Sequence, residues 1–473
     1  MLKGLEISEV SFGDVGLRTS DFRIESEYFT QELITLDRLI DSKNFVPLKD
    51  VSSKISDGTH FTPEYVSKGV PFLSAINVKS NVFDLNAGFQ HITQEAHNAL
   101  YRRCDPREGD VLVRKVGAGA RMACVIPQLG FQFSIFVSVA MIRTKGIDPY
   151  YLSTFINTRI GQRQLLRFNK CIGQPDLHLE DLARLRIFRA SCEFQSEIAR
   201  VVIKANWLIE SATVQYGEAE QSLLSELGLD GWTPTEESVS VKNCSDFMSA
   251  GRFDAEYFQP KYDELFTLLA KCKVRVLGGK DGLVDIKRSI EPGSDAYSDK
   301  GIPFVRIADF TEMGVASPEI HIPPELCSDS PRPKKDTILL SKDGSVGIAY
   351  KVEEDLDIVT SSGILHLTVK DNAVLPDYLT LVLNSKIVRL QAERSAGGSI
   401  IQHWKQSEVE NVSIPILPMS SQQKITAKVR ESFALRTESK FLLDLAKHAV
   451  EVAIEQGESK ALEALEKEIG HAN

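Results

Sequence analysis

Short glycine-containing turns flanked by basic residues occur twice in the chain, and they are the segments best suited to binding chemistry. Glycine has no side chain, so such a turn lets the backbone approach another molecule closely. A lysine or arginine beside the turn can then reach a phosphate oxygen, although a turn cation can also be merely solvated. The recurrence favours binding, but related turns also recur for backbone reasons. The candidates are Arg114, Lys115 and Arg121 at the first turn and Lys342, Asp343 and Ser345 at the second.

Further polar residues are candidates for hydrogen bonds to base edges or phosphates. Residues 54–60 are predicted to form a polar loop after a short strand, where a lone histidine is more typical of a surface turn than of base contact. Arg159, Arg163 and Arg167 have a spacing that predicts one helical face, either solvated or in contact with phosphate. Of these three arginines, Arg163 is a candidate. The remaining candidates are Lys54, Asp57, Thr59, His60, Gln174, Lys287, Arg288, Arg306 and Gln402.

Catalytic and metal-binding patterns are missing from the sequence. The chain contains no GxxxxGK[ST] phosphate loop, no GxSxG elbow, and no Asn/Asp-Pro-Pro-aromatic tetrapeptide that could hold a flipped base. Its seven cysteines are odd in number and form no CxxC pair, so free thiols are expected rather than a zinc site or disulfides. We therefore predict no catalytic residue, no metal site and no cofactor bound by this chain.

Composition places further bounds on the function. The net charge of −10 argues against a protein that coats nucleic acid over its whole surface. The charge is uneven, because residues 205–241 contain no Lys or Arg, whereas residues 149–175 contain no Asp or Glu. No apolar run approaches the ~18 residues that cross a membrane, and no signal peptide is evident. A cytoplasmic protein is the expectation.

The sequence repeats itself at offsets close to 230 residues, beginning with residues 23–29, which match 252–258. Residues 69–73 match 301–305, and 110–113 match 336–339. Short β-type runs and then a proline-initiated helix are predicted in each copy. The predicted runs are 70–78, 111–116, 136–143 and 185–188, then 302–310, 337–341, 358–369 and 412–417. Single matches are Tyr151, Asn157, Gln164 and Arg167 with Tyr378, Asn384, Gln391 and Arg394.

A long helix is predicted after each copy. Residues 193–227 and 421–468 lack proline, and apolar or small residues recur in the first at steps of three and four, which is typical of a helix paired with another helix. The predicted division is a first globular domain over 1–193, a long helix over 194–230, a linker over 231–245, a second globular domain over 246–420 and a second long helix over 421–473.

The order of globule, long helix, globule and long helix resembles the DNA-specificity (S) subunit of type I restriction-modification systems. RxxxEYF, GxPF[LV] and the strand-Lys-x-Gly turn carry the resemblance in both copies, and Gly58 to Val78 is its most specific part. It implies an α+β fold, with two target-recognition domains separated and joined by two long antiparallel helices about a pseudo-twofold axis. In the second copy Asp285 to Ile290 replaces the corresponding polar block.

The resemblance also implies function and partners. Each globule would read half of a bipartite, asymmetric site on double-stranded DNA, while the helices set the spacer. Two modification subunits that bind S-adenosylmethionine would dock on the helices, and restriction subunits would join the full complex. The alternative is a non-catalytic scaffold of another defence complex without its own DNA readout.

Overall fold

The protein is described by a computed structural model that covers residues 8–18, 24–117, 121–168, 176–237, 239–316, 318–396 and 402–472. Gln174 lies outside the described residues. By its internal contacts the chain forms two compact units. The first unit combines Met1–Ile209 with Thr437–Asn473, and the second is Glu210–Arg436. The five-segment division from sequence stays a prediction.

The first unit is built around a four-stranded antiparallel sheet in the order β2-β10-β7-β8. Its central strand β7 buries three consecutive apolar residues, as expected for a strand covered on both faces. A three-stranded sheet, β6-β3-β9, and the pairs β1-β11 and β4-β5 complete the unit. The strands are β1 Phe45–Pro47, β2 Ser52–Asp57, β3 Tyr65–Leu73, β4 Val78–Lys79, β5 Val82–Phe83, β6 Gln90–Ile92, β7 Val111–Arg114, β8 Ala123–Val125, β9 Ser134–Ile135, β10 Val139–Thr144 and β11 Arg186–Phe188.

The short helices of the first unit pack around these sheets. The predicted proline-initiated helix is α4, in which Pro149 occupies the first turn and Asp148 caps the free N–H groups of Tyr150 and Tyr151. The helix covers the sheet beside β8 and buries most of its residues. The helices are α1 Phe12–Arg18, α2 Gln31–Asp41, α3 Gln94–Tyr101, α4 Pro149–Asn157, α5 Arg159–Arg167 and α6 Leu179–Arg184.

The second unit has the same plan. Its four-stranded sheet has the order β13-β21-β18-β19, its three-stranded sheet has the order β17-β14-β20, and β12-β22 and β15-β16 are paired. The strands are β12 Val274–Val276, β13 Val284–Arg288, β14 Ile302–Val305, β15 Phe310–Thr311, β16 Gly314–Val315, β17 His321–Ile322, β18 Ile338–Ser341, β19 Ala349–Lys351, β20 Val359–Thr360, β21 Ile364–Val369 and β22 Ser413–Pro415; the short helices are α8 Cys244–Ala250, α9 Pro260–Leu269, α10 Pro376–Asn384, α11 Lys386–Ser395 and α12 Gln406–Glu410.

Matching residues of the two copies make matching hydrogen bonds. Gln164 closes a pair of hydrogen bonds with the backbone of Arg186, and Gln391 does the same with Ser413. The Tyr151 hydroxyl donates to a backbone carbonyl at 2.8 Å, as does the Tyr378 hydroxyl. The predicted α+β class and tandem repeat are therefore confirmed, and the repeated polar residues stabilise the fold.

Two long helices were predicted, and both are present. α7 spans Cys192–Glu226, and α13 spans Met419–Gln456. Within each unit their segments run antiparallel and pack closely through small residues. The contacts are Ser439 Oγ to the Ala205 carbonyl at 2.7 Å and Ser191 N to Glu458 Oε1 at 3.0 Å in the first unit, and Ser432 Oγ to the Ala212 carbonyl at 2.6 Å and Lys428 to Glu218 at 2.8 Å in the second.

Several details differ from the sequence-based expectations. The last helix is not continuous, because Gly457, at φ +103°, ends α13 before α14 Glu458–Ala472 begins. Strands β2 and β13 were missed, since both are edge strands whose polar residues give little apolar alternation. Packing of the tryptophans also differs, because Trp207 is 61 % exposed on α7, whereas Trp404 is buried.

Candidate nucleic-acid interface

The first predicted turn is organised around a buried ion pair. Lys115, directly after β7, donates from Nζ to Asp57 Oδ2 at 2.8 Å, and its side chain is only 4 % exposed. Arg103 donates to the other oxygen of Asp57, and His60 Nε2 lies 3.4 Å from the carboxylate. This corrects the expectation of an exposed turn lysine, because the sheet brings Asp57 against Lys115 and neutralises it.

The other cations of this turn also bond within the protein. Arg121 is fully buried and donates to the Gly117 carbonyl at 2.8 Å, and burial lowers the pKa of its guanidinium. Arg114 Nε points to the Val116 carbonyl at 3.4 Å and is half-buried. Gly117 has φ +111°, a backbone conformation that favours glycine. Arg121 therefore holds the turn, and only Arg114 retains partial exposure.

Lys54 lies in strand β2 and not in the predicted loop. Its ammonium contacts Asp105 Oδ1 at 2.7 Å. Although burial raises the pKa of Asp105, hydrogen bonding to Lys54 and the charge of Arg143 outweigh it and hold that pKa at about 2. Lys54 is thus one partner of a carboxylate that stays ionised throughout the physiological pH range.

The loop after β2 combines a buried threonine with two exposed side chains. Thr59 is buried, and its hydroxyl accepts from Phe61 N at 3.1 Å, which orders the loop. His60 and Phe61 are exposed, and together with Arg103 they line a cleft of about 440 Å³. A Cβ on Gly58 would lie 2.0 Å from the Ile135 carbonyl, so glycine is required where the loop crosses β9. Arg103 was not a candidate from sequence, since nothing local marks it as a neighbour of Asp57.

The arginines of α5 do not form the shared exposed face that their spacing predicted. Arg163 pairs with Glu32 at 2.8 Å, and Arg159 pairs with Glu455 at 3.0 Å. Arg167 is buried against Asp37 at 2.9 Å. All three side chains contact carboxylates of the first unit, so Arg163 is exposed but already paired.

In the second unit the turn after β18 opens onto a cleft of about 620 Å³. Lys342 Nζ contacts Asp343 Oδ2 at 2.5 Å, and Asp343 Oδ1 bonds His403 Nδ1 at 2.8 Å. Arg288, at the end of β13, donates to Gln406 Oε1 at 2.5 Å across the same cleft. The structure therefore brings three sequence candidates together, while His403, Trp404 and Lys405 of the lining were missed.

The remaining candidates lie outside the lining of this cleft. Lys287 is exposed and lies opposite His366 in the neighbouring strand. Arg306 pairs with Asp309 at 3.2 Å. Ser345 is exposed, and its carbonyl accepts from the Ser341 hydroxyl at 2.5 Å. Gln402 sits at the rim of the turn, where its carbonyl accepts from Gly344 N at 2.9 Å.

In the described part of the chain, no group of three or more His, Cys, Asp and Glu side chains could hold a metal ion. None of the described helices combines the length and apolar character needed to cross a membrane.

Parts of this chain are similar to a known protein family and to a known protein. Residues 281–438 match the profile of the family described as "Type I restriction modification DNA specificity domain". The "Type I restriction enzyme EcoBI specificity subunit" of Escherichia coli is 26 % identical over 137 residues, which span 29 % of this chain and only 28 % of that protein.

Solved structures give a broad but distant match. The HsdS subunit from Thermoanaerobacter tengcongensis is 16 % identical, with 88 % of this chain and 97 % of that chain covered and a TM-score of 0.28. The S subunit of a type I restriction-modification system from M. genitalium is 12 % identical, with 89 % and 95 % covered and a TM-score of 0.36. At such TM-scores the likeness carries no structural inference.

Proposed function

We propose that the whole chain is the DNA-specificity subunit of a type I restriction-modification system, because residues 281–438 match the family of type I restriction-modification DNA specificity domains. In this proposal each unit reads one half of a bipartite, asymmetric site on double-stranded DNA. The chain performs no chemistry itself. The family match of the second copy is the observation that carries the proposal.

The internal repeat extends the proposal to the first copy. Both units have the same strand orders and the same glutamine and tyrosine hydrogen bonds. A domain with the same framework but different loops would read a different half-site, because sequence is read by the side chains presented to the base edges. The exposed His60 and Arg103 of the first unit are the proposed contacts there.

The long helices supply the proposed spacer and docking surface. A helix rises about 1.5 Å per residue, so its length can set a distance between bound half-sites. On α7, Ile203 is 48 % exposed and Trp207 is 61 % exposed, one helical turn apart. Exposed tryptophans are frequent anchors of protein interfaces. We propose that two modification subunits dock on the helices and bind S-adenosylmethionine, with restriction subunits joining the full complex.

Docking predicts an effect of Trp207→Ser on complex formation. Loss of the indole removes a large apolar surface, and we expect co-purification with the modification subunit to weaken at least tenfold, since interface tryptophans often contribute about 2 kcal/mol or more. The matched control is Val239→Ser, which also removes an exposed apolar side chain but lies in the segment after α7. Equal co-purification of both variants would contradict docking through Trp207.

Co-expression with the open reading frames beside its gene, followed by methylome sequencing of the cells, tests the proposed function. We expect a bipartite methyl-adenine motif that appears only when this chain is present. Stable association with the neighbouring proteins without new methylation would contradict a specificity subunit.

A scaffold without DNA readout is the second candidate function. Two observations favour it: the net charge of −10, and the pairing of Lys54, Lys115 and Arg163 with carboxylates of the protein itself. Salt-dependent binding to duplex DNA separates the two functions. A specificity subunit binds with an affinity that falls as salt rises, because phosphate contacts release counterions, whereas a scaffold shows no such binding.

A further inference from the structure

The two units carry charges of opposite sign at one equivalent position of their main sheets. The strand registers make the comparison direct, because in each unit the edge strand pairs with the next strand, which in turn pairs with the strand leading to the turn lysine. The compared rows are Asp57, Ala140 and Val113 in the first unit and Arg288, Leu365 and Leu340 in the second. Arg288 therefore occupies the place of Asp57.

A second position near the turn lysine also differs in charge between the two units. The residue after the turn lysine forms a bridge with Asp176 in the first unit and with His403 in the second. Lys115 thus has Asp57 at 2.8 Å and Asp176 at 4.0 Å. Among the residues that the structure describes, Lys342 instead pairs with one carboxylate, Asp343, which it shares with His403. In the first unit, the carboxylates of Asp57 and Asp176 neutralise the turn lysine. In the second unit, the cleft that contains the turn lysine also contains Arg288 and Lys405.

A buried donor without an acceptor lies in the lining of the second cleft. Trp404 is 1 % exposed, and its indole N–H has no hydrogen-bond partner among the described residues. The equivalent residue of the first unit is the apolar Leu177, since each donates its backbone N–H to the carbonyl of the turn lysine. Leaving a buried donor unsatisfied is costly, so a ligand oxygen that a side-chain movement brought to this N–H would stabilise the site.

We propose that the cleft of the second unit binds a phosphate group of the DNA backbone and that the equivalent position of the first unit does not. Arg288, Lys342 and Lys405 supply three fixed positive charges against the carboxylates of Asp343 and Glu410, and Trp404 supplies a neutral donor. Donors together with an excess of positive charge suit a phosphate oxygen. The inference rests on the proposed function and adds that the two units hold DNA unequally.

The first unit supplies the decisive variant, Arg288→Asp. This change places in the second unit the acidic residue that the same position already holds in the first, so the sheet is compatible with it. The new carboxylate replaces the positive charge of Arg288 and is expected to pair with Lys342 in addition to Asp343, as Asp57 pairs with Lys115. Lys424→Glu, at an exposed position on α13, makes the same change in net charge away from the cleft and is the matched control.

Binding of the full-length variants to a mixed-sequence duplex is measured by fluorescence anisotropy over a range of salt concentrations. We expect Arg288→Asp to weaken binding and to lower the slope of log affinity against log salt by about 0.9, because one phosphate is no longer neutralised. Trp404→Phe keeps the ring but removes the N–H, and we expect roughly fivefold weaker binding with an unchanged slope. Circular dichroism spectra that match the native chain establish that each variant is folded.

Two outcomes distinguish a failure of the phosphate-binding proposal for the cleft from a failure of the proposed function. Salt-dependent binding by the native chain with equal slopes for Arg288→Asp and Lys424→Glu would overturn the cleft alone. Absence of salt-dependent binding by the native chain would overturn the proposed function and the cleft with it.

A competition experiment separates a backbone phosphate from free phosphate. Inorganic phosphate and chloride are compared as competitors at equal ionic strength, and we expect phosphate to displace the duplex from the native chain more effectively than from Arg288→Asp. Binding of inorganic phosphate that Arg288→Asp abolishes, with duplex binding by that variant unchanged, would assign the cleft to a small free anion and overturn the DNA assignment.

Discussion

At the scale of single residues, the buried pair of Asp57 and Lys115 belongs to the stability of the first unit. Removing one partner of a buried ion pair leaves the other charge poorly compensated. For Lys115→Met we expect the free energy of unfolding of this unit to fall by about 3 kcal/mol, measured by urea denaturation. Lys68→Met, at an exposed lysine, is the control. A stable Lys115→Met protein with weakened DNA binding would instead make Lys115 a DNA contact.

A second residue-scale prediction concerns His366 in the sheet of the second unit. It is 3 % exposed and shares a 2.8 Å hydrogen bond with the Thr360 hydroxyl. Burial, and then the charge of Lys287, lowers its pKa to about 4. Between about pH 6.5 and pH 4 the unfolded chain takes up a proton that the folded histidine does not, so folding stability falls as the pH falls, by roughly 3 kcal/mol at pH 4.

The variant His366→Gln tests this pH dependence. We expect its unfolding free energy to change less than that of the native chain between these pH values, as followed by denaturation at a series of pH values. His178→Gln, at an exposed histidine, should retain the native profile. A native-like profile for His366→Gln would mean that other groups cause the acid sensitivity.

At the scale of elements, a buried glutamine near the start of each long helix ties that helix to its globular domain. Gln422 accepts from Leu375 N at 3.0 Å and donates to the Leu417 carbonyl at 3.0 Å. Gln195 makes the corresponding bonds to Asp148 N and the Ala190 carbonyl. Glutamines at equivalent positions thus anchor the two helices through equivalent backbone groups.

Substitution of these glutamines should destabilise the corresponding units alike. Gln422→Ala removes hydrogen bonds to three backbone groups, Leu375 N and the carbonyls of Ala373 and Leu417, and we expect a loss of about 2–4 kcal/mol in unfolding free energy, with a similar loss for Gln195→Ala. The adjacent Gln423 is exposed, so Gln423→Ala should unfold at the native denaturant concentration. If Gln422→Ala did the same, the helix would be anchored by apolar packing alone.

At the scale of the whole molecule, the proposed ruler predicts that helix length sets the spacer. Removing residues 208–214 from α7 and 431–437 from α13 deletes segments that contain the hydrogen-bonded Ala212 and Ser432 but retains Trp207. Seven residues correspond to about 10 Å, or roughly three base pairs at about 3.4 Å each. Methylome sequencing should reveal a spacer changed by that amount, whereas alanine-rich heptads of native length should preserve it. An unchanged spacer in the shortened variant would refute the ruler.

The sequence by itself determined the tandem repeat, because matching residues recur in the same order at nearly constant offsets. It also determined the two long helices, because a proline-free segment with apolar residues at steps of three and four signals its periodicity locally. It did not reveal the break at Gly457, since a single glycine is tolerated within a helix, as at Gly217 in α7.

Only the tertiary structure decided which charges remain available for binding. Lys115 and Asp57 are 58 residues apart, and no local pattern indicates that strand pairing buries them together. The corresponding pairing places Arg288 in the same cleft as Lys342, so two turns that look alike in sequence have different charges around them. Exposure was decided in the same way, with Trp207 facing solvent and Trp404 buried. The periodicity that indicates a helix involves residues close together in sequence. The neutralisation of a charged side chain depends on neighbours that folding brings from distant segments.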